Sequence, residues 1–291
     1  MKSILFFAFF LASFIFGFIT LLTLQHSPPP KQTTKPYHKK TIAYKKSVKA
    51  ATTMEEIPVK NEFTFAVYGD SMEDTMGEGV DYLQAALEKK YPKIVFHLYN
   101  YGIGGENVQK GLDRFALPFH YQLRNYPPIT SIHPDAVVLG SFAYNPFSPY
   151  DRNKHWITYS QLVEKTETIT PHVFILAEIA PLGKNFGKGP HGVNWPAAMT
   201  ETQSKEITEL LENVIALGTA LHVPVINAYE LTKSSTETGT DIYTNSDDGI
   251  HPSIAGHTFL ANLIARSFDT IITKPIISPT VTPLPRHEDM R

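Results

Sequence analysis

The chain contains no cysteine. That excludes disulfides, cysteine-ligated zinc, iron–sulfur clusters, a thiol nucleophile and a lipid-modified N-terminal cysteine. It also lacks a surplus of charge of either sign. The formal net charge is −2, so no global basic surplus points to nucleic acid as a partner. No His-x-x-x-His pair or carboxylate cluster has the spacing of a catalytic metal site, and no metal is expected. No Gly-Lys-Ser/Thr phosphate loop occurs, and Gly102–Gly105 does not complete a Gly-x-Gly-x-x-Gly fingerprint. No cofactor is expected on those grounds. Internal repeats are absent too.

Long apolar runs are missing except at one place. Ile4 to Leu24 is an unbroken series of apolar or small residues with Lys2 in front. Its length matches the roughly 20 residues that cross a bilayer as a helix. A secretory signal has a shorter apolar core and a small-residue cleavage site. Leu22-Thr-Leu-Gln-His26 offers no such site, so an uncleaved signal anchor (residues 1–24) is expected. Lys2 and the terminal amine favour a cytoplasmic N-terminus, although Lys31, Lys35, Lys39, Lys40, Lys45 and Lys46 follow the run. The expected product is a single-pass cell-membrane protein with its folded part outside the cytoplasm.

Residues 25–60 read as a linker. Pro28-Pro-Pro30 stiffens its start, and lysine and threonine dominate the rest. Residues 274–291 read as a proline-rich tail. What lies between, residues 61–273, carries the fold. With 42% hydrophobic and 19% charged residues overall, the chain can bury a sizeable core. Five apolar runs rich in Val, Ile and Phe read as buried strands: Phe63–Tyr68, Ile94–Tyr99, Ala136–Leu139, Val173–Ile179 and Val223–Ala228. Helical patterns separate them at Val80–Lys90, Val108–Leu117, Trp156–Thr168 and Ala197–Leu221, and a last helix is expected from about Pro252 to Phe268. Alternation of this kind predicts an α/β protein, a three-layer α/β/α sandwich around a five-stranded parallel sheet of flavodoxin-like type. In such sheets sites form at the carboxyl ends of the strands.

Four blocks stand at those ends, in order. They are Gly69-Asp-Ser71-Met72, Asn100-Tyr-Gly-Ile-Gly-Gly105, Phe142-Ala-Tyr-Asn145 and Asp248-Gly-Ile-His251-Pro252. A serine after a first strand needs a base to become a nucleophile, and an Asp and a His three residues apart on a late loop can supply one. The order and spacing of the blocks resemble those of the SGNH (GDSL-type) hydrolase superfamily over roughly residues 62–270. The third block departs from the family's usual Gly-x-Asn-Asp: Gly140 stands five residues before Asn145, and Pro146 replaces the aspartate. The departure marks a divergent branch.

The resemblance implies a role for each matching residue. Ser71 would be the nucleophile, His251 its base, and Asp248, rather than its neighbour Asp247, the group that orients the His251 ring. The backbone N–H groups of Ser71 and Gly105 and the side-chain amide of Asn145 would receive the oxyanion, each donor contributing about 2.7–4 kcal/mol. Asp70 reads as a structural acceptor at the tight turn, and Asn100 as a residue that ties down the glycine block. In the loop Pro181–Pro196, Trp195 and His191 are candidates for substrate contact.

The expected function is thus a serine esterase acting through an acyl-serine on a small-molecule or glycan ester, either a carbohydrate O-acetyl group or a lipid ester. An O-acyltransferase would use the same triad on an envelope glycan. A non-catalytic envelope-binding module is a further alternative.

Overall fold

The computed structural model describes residues 60–234 and 238–272. The expected anchor, most of the linker and the C-terminal tail lie outside the described residues. Among the described residues no helix is long and apolar enough to cross a membrane.

The elements run β1 (Glu62–Tyr68), α1 (Ser71–Asp74), α2 (Asp81–Lys90), β2 (Val95–Asn100), α3 (Val108–Arg114), β3 (Phe119–Tyr121), β4 (Arg124–Tyr126) and β5 (Ala136–Gly140). They continue with α4 (Arg152–Glu167), β6 (Val173–Ala177), α5 (Ala197–Leu221), β7 (Val225–Asn227), α6 (Ala228–Thr232), α7 (Ile254–Ser267) and α8 (Asp269–Ile272). Five strands form one parallel sheet in the order β2-β1-β5-β6-β7. The five apolar runs of the sequence are these five strands. Every residue of β5 and of β6 is buried, as expected for strands covered on both faces.

The alternation of β1 shows how the layers divide. Phe65 packs on Phe268, which also meets Phe174, on the side where α2 lies against α7. Tyr68 points the other way, meeting Phe115 and Phe142, and its hydroxyl donates to Gly111 O at 2.6 Å. On that side α3, α4 and α5 pack in sequence. The long helix α5 buries Ile207, Leu210, Leu211, Val214 and Leu217, a helical stripe that the sequence displays directly.

Boundaries differ from the sequence reading where capping chemistry decides them. Helix α4 begins four residues early, because the Asp151 carboxylate accepts from Lys154 N. Helix α7 begins after Pro252, because Ser253 is the residue that caps it. A two-stranded hairpin, β3–β4, was not expected. The buried guanidinium of Arg124 fastens it below the sheet edge, donating to Asn100 O at 2.9 Å and pairing with Asp74.

Candidate active site

Each of the four blocks follows a strand end or closes the last loop, and local bonds set its shape. Ser71 is the first residue of α1, directly after the capping residue Asp70. Asp70 Oδ1 accepts from Met72 N at 2.9 Å, and Asp70 N donates to Glu73 Oε2 at 3.1 Å, a reciprocal cap. Ser71 is half-buried. The glycine block presses on this turn: a Cβ on Gly102 would lie 2.4 Å from Asp74 N and 2.9 Å from Asp70 O. Only a bare backbone fits there. Asn100 ties the block down, its amide donating to Glu73 O and Gly77 O at 2.8 Å each while its Oδ1 accepts from Gly102 N at 2.9 Å. Asp70 and Asn100 therefore occupy the structural positions expected of them.

In the last block, Asp248 is the centre of a small cage. Its Oδ1 accepts from Ile250 N at 2.7 Å and His251 N at 3.0 Å, and its Oδ2 lies 2.9 Å from His251 Nδ1. Burial by itself would raise the Asp248 carboxyl, but the bonds from the His251 ring and from the two backbone N–H groups hold it below its ordinary value. The ring contact leaves His251 Nε2 as the outward nitrogen. The His251 charge acts on both Asp70 and Asp74, the residues that bracket Ser71 in α1. The first and last blocks are thus within electrostatic range of each other.

Asn145 sits in a turn beyond β5, after Phe142, whose φ is 56°. Its Nδ2 donates to Asp70 Oδ2 at 2.9 Å, so the third block bonds to the first. Gly105, with φ of 76° and nothing within 4 Å of where a Cβ would be, faces open space. Gly105, Asn145 and Trp195 line one cleft of about 390 Å³. Tyr144, expected to point away from Asn145, lines it too, as do Lys110, Phe147, Tyr150, Gln203 and Glu206, which sequence reasoning did not single out. They come from α3, the turn after β5 and the first turns of α5, and nothing in their local spacing distinguishes them.

The lining includes none of Ser71, Asp248 and His251, nor the expected contact residue His191. Its Nδ1 lies 2.8 Å from Asp247 Oδ1, and its backbone N donates to Asp247 O at 2.8 Å. The ring is held by an exposed carboxylate instead of facing the cleft. The loop around it is a brace more than a free flap, since Gly187 N donates to Gly249 O at 2.9 Å. A Cβ on Gly189, Gly192 or Gly249 would strike the facing backbone at 2.3–2.5 Å. The same loop carries Trp195, whose carbonyl takes the Lys188 ammonium.

Beneath the site lies a set of carboxyls that sequence reasoning missed. Glu73 and Glu178 are fully buried beside the buried Asp70. Ser141 donates to Glu178 through its N, at 2.6 Å, and through its hydroxyl. Burial first, then the charge of Asp70, pushes Glu178 up to about 8, against the pull of the Ser141 bonds. Burial raises Asp70 to about 6, opposed by the bonds from Met72 and Asn145. Glu73 is raised well above its ordinary value by burial and by the charges of Glu178 and Asp70. One signal was available: Glu178 interrupts the apolar run Val173–Ile179.

A parallel α/β sheet with a serine after its first strand and a bonded Asp-His pair on its last loop fits a class, the serine hydrolases of esters. Residues 65–264 match the family model described as GDSL-like Lipase/Acylhydrolase, and the chain belongs to that family. No curated protein matches the chain at a significant level. Among solved structures it is similar to a lipase/acylhydrolase from Enterococcus faecalis, with 19% identity over 72% of this chain and 96% of that one and a TM-score of 0.53. It is also similar to a GDSL-like lipase from Bacteroides thetaiotaomicron, with 16% identity, 72% and 88% coverage and a TM-score of 0.52. An acetyl xylan esterase gives 19% identity, 70% and 98% coverage and a TM-score of 0.51. At these identities the likeness is one of fold.

Proposed function

We propose that the protein is an esterase that removes a short acyl group from a glycan hydroxyl, with Ser71 as nucleophile. The observation that carries this reading is the bond from His251 Nδ1 to Asp248, which leaves Nε2 as the nitrogen that can take a proton from Ser71. Ser71 Oγ attacks the ester carbonyl while His251 removes its proton, and Asp248 stabilises the resulting imidazolium. The developing oxyanion is received by the N–H of Ser71, the N–H of Gly105 and the remaining N–H of the Asn145 amide. His251 then protonates the departing alcohol. Water, activated by the same histidine, releases the acid from the acyl-serine.

The cleft supports a glycan in preference to a long-chain lipid. Tyr150 and Trp195 give aromatic faces, while Lys110, Gln203 and Glu206 give polar groups suited to hydroxyls. The likeness in fold to a solved acetyl xylan esterase supports this reading. The segment Ile4–Leu24 supports an anchor in the cell membrane, with the linker of residues 25–60 carrying the domain outside the cytoplasm. An acyltransferase would share the first half-reaction and differ only in the acceptor, a sugar hydroxyl in place of water.

The test is labelling by a fluorophosphonate probe together with hydrolysis of short-chain aryl esters and acetylated oligosaccharides. Ser71→Ala is expected to abolish labelling and hydrolysis with the fold intact by circular dichroism. Retention of most activity in a folded Ser71→Ala protein overturns the mechanism. Product analysis with an added sugar acceptor separates hydrolysis from transfer. Carbonate extraction of membranes tests the anchor, and a soluble mature form starting near residue 27 would overturn it.

A further inference from the structure

We propose that Glu73 is a positioning residue of this reaction: as a neutral acid wedged between Gly69 and Gly140, it holds the Asp70–Ser71 turn in register, and its ionisation releases that turn. The inference rests on the reading of Ser71 as nucleophile.

The wedge is visible in what surrounds the carboxyl. A Cβ on Gly69 would lie 1.9 Å from Glu73 Oε2, and one on Gly140 would lie 2.2 Å from the same oxygen. Two glycines, one opening the nucleophile block and one ending β5, thus leave the room that this side chain fills. Its Oε2 accepts from Asp70 N at 3.1 Å. That is one of the two reciprocal bonds closing the turn that presents Ser71. Its Oε1 is buried with no hydrogen-bond partner. A carboxylate with one oxygen in that condition would be an uncompensated buried charge, whereas a neutral acid is not.

The groups around it reinforce this. The charges that act on Glu73 are those of Asp70, on its own turn, and Glu178, at the end of β6, both negative. From α4, Tyr159 faces Glu178 and Glu73. From the turn after β5, Tyr144 faces Glu178 and Asp70. His155 adjoins the group through Ser141 O, 3.0 Å from its Nε2, and is itself held neutral by burial. Further out, His251 and Glu106 act on Asp70. None of the leading influences on Glu73 is a cation. A proton leaving Glu73 would set three buried anions side by side. Displacement of Asp70 by that repulsion would loosen both the Met72 cap and the Asn145 bond.

The experiment measures the rate of Ser71 labelling by a fluorophosphonate, and kcat on an aryl ester, from neutral to strongly alkaline pH. Wild type is expected to lose both rates on an alkaline limb. Glu73→Gln keeps the acceptor for Asp70 N and cannot ionise. It is expected to match wild type at neutral pH and to lack the limb. Glu73→Ala is expected to lower kcat about 10²-fold at every pH, with little change in KM, as a misplaced nucleophile does. An unchanged limb in Glu73→Gln, or a loss in Glu73→Gln equal to that in Glu73→Ala, overturns the proposal. If Glu73→Gln does not fold, Glu178→Gln decides. It removes a neighbouring negative charge and should move the limb to higher ease of ionisation, that is, to lower pH; an unmoved limb overturns the proposal. Failure of Ser71 to label at any pH would instead overturn the reading of the nucleophile.

Discussion

Asn145 and Asp70 are joined by a hydrogen bond of 2.9 Å from Nδ2 to Oδ2. The carboxylate next to the nucleophile therefore fixes the plane of the amide proposed to meet the oxyanion. An amide nitrogen has two N–H groups. One is spent on Asp70, and the half-buried Asn145, lining the cleft, has the other for the proposed oxyanion contact.

Asn145→Ala is accordingly expected to cut kcat by about 10²–10³-fold with little change in KM, because the lost bond strengthens mainly in the transition state. Asn145→Asp should be worse, since it sets a second carboxylate against Asp70. Steady-state kinetics on a short-chain aryl ester checks both. A kcat for Asn145→Ala within a few-fold of wild type would show that the donor lies elsewhere.

Two adjacent aspartates offer a clean contrast. Asp248 holds His251 Nδ1, whereas Asp247 is exposed and holds His191. Asp248→Asn should lower kcat about 10⁴-fold by favouring the wrong ring tautomer. Asp247→Asn and His191→Ala should leave kcat within a few-fold. Equal effects at the two positions would mean that the brace loop, not the ring contact, sets the rate.

The buried carboxyls predict an unusual dependence of stability on pH. Glu178 and Asp70 are raised, to about 8 and about 6, so the folded protein keeps protons that the unfolded chain releases. Stability then falls as pH rises from the ordinary carboxyl range toward 8. His155 and His257 act oppositely: burial lowers both from 6.5 to about 4, so their contribution rises with pH over that window. The two trends oppose each other below pH 6.5, and above it only the carboxyls remain. The melting temperature should fall by a few degrees between pH 6.5 and 8, and Glu178→Gln should lessen that fall, with Glu73 still contributing to it. A wild-type melting temperature that is constant or rising over this interval would contradict the assignment.

Trp195 tests the glycan reading separately from the chemistry. Trp195→Ala should raise KM for an acetylated oligosaccharide several-fold while leaving the turnover of a small aryl acetate unchanged, since only the larger substrate fills the cleft. Equal effects on both substrates would place Trp195 in the brace and not in recognition.

The sheet was legible because strands covered on both faces must be apolar throughout, and Ala136–Leu139 and Val173–Ala177 are. The bonded Asp248–His251 pair was legible because its spacing is local. The hairpin was not. Each strand has three residues, and the link between them turns at Gln122, with φ of 54°, without the glycine that usually announces such a turn. Asn145 was found by its place after a strand, but its bond to Asp70 joins residues far apart in the chain and leaves no local trace. The cleft lining was hidden for the same reason. Glu73 was hidden differently: a glutamate in a short polar-looking segment reads as exposed, and only the two glycines packed on it in space reveal its burial.

The domain opens with the strand that leads into Ser71 and places His251 near its end, with only α7 and α8 beyond it among the described residues. A ribosome must release nearly the whole folded region before its nucleophile can meet its base. On the proposed mechanism a nascent chain is therefore chemically silent. If the domain is passed through a membrane as it is made, the proposed mechanism would spare esters on the side where it was synthesised, and reactivity would await the folding of the loop that carries His251.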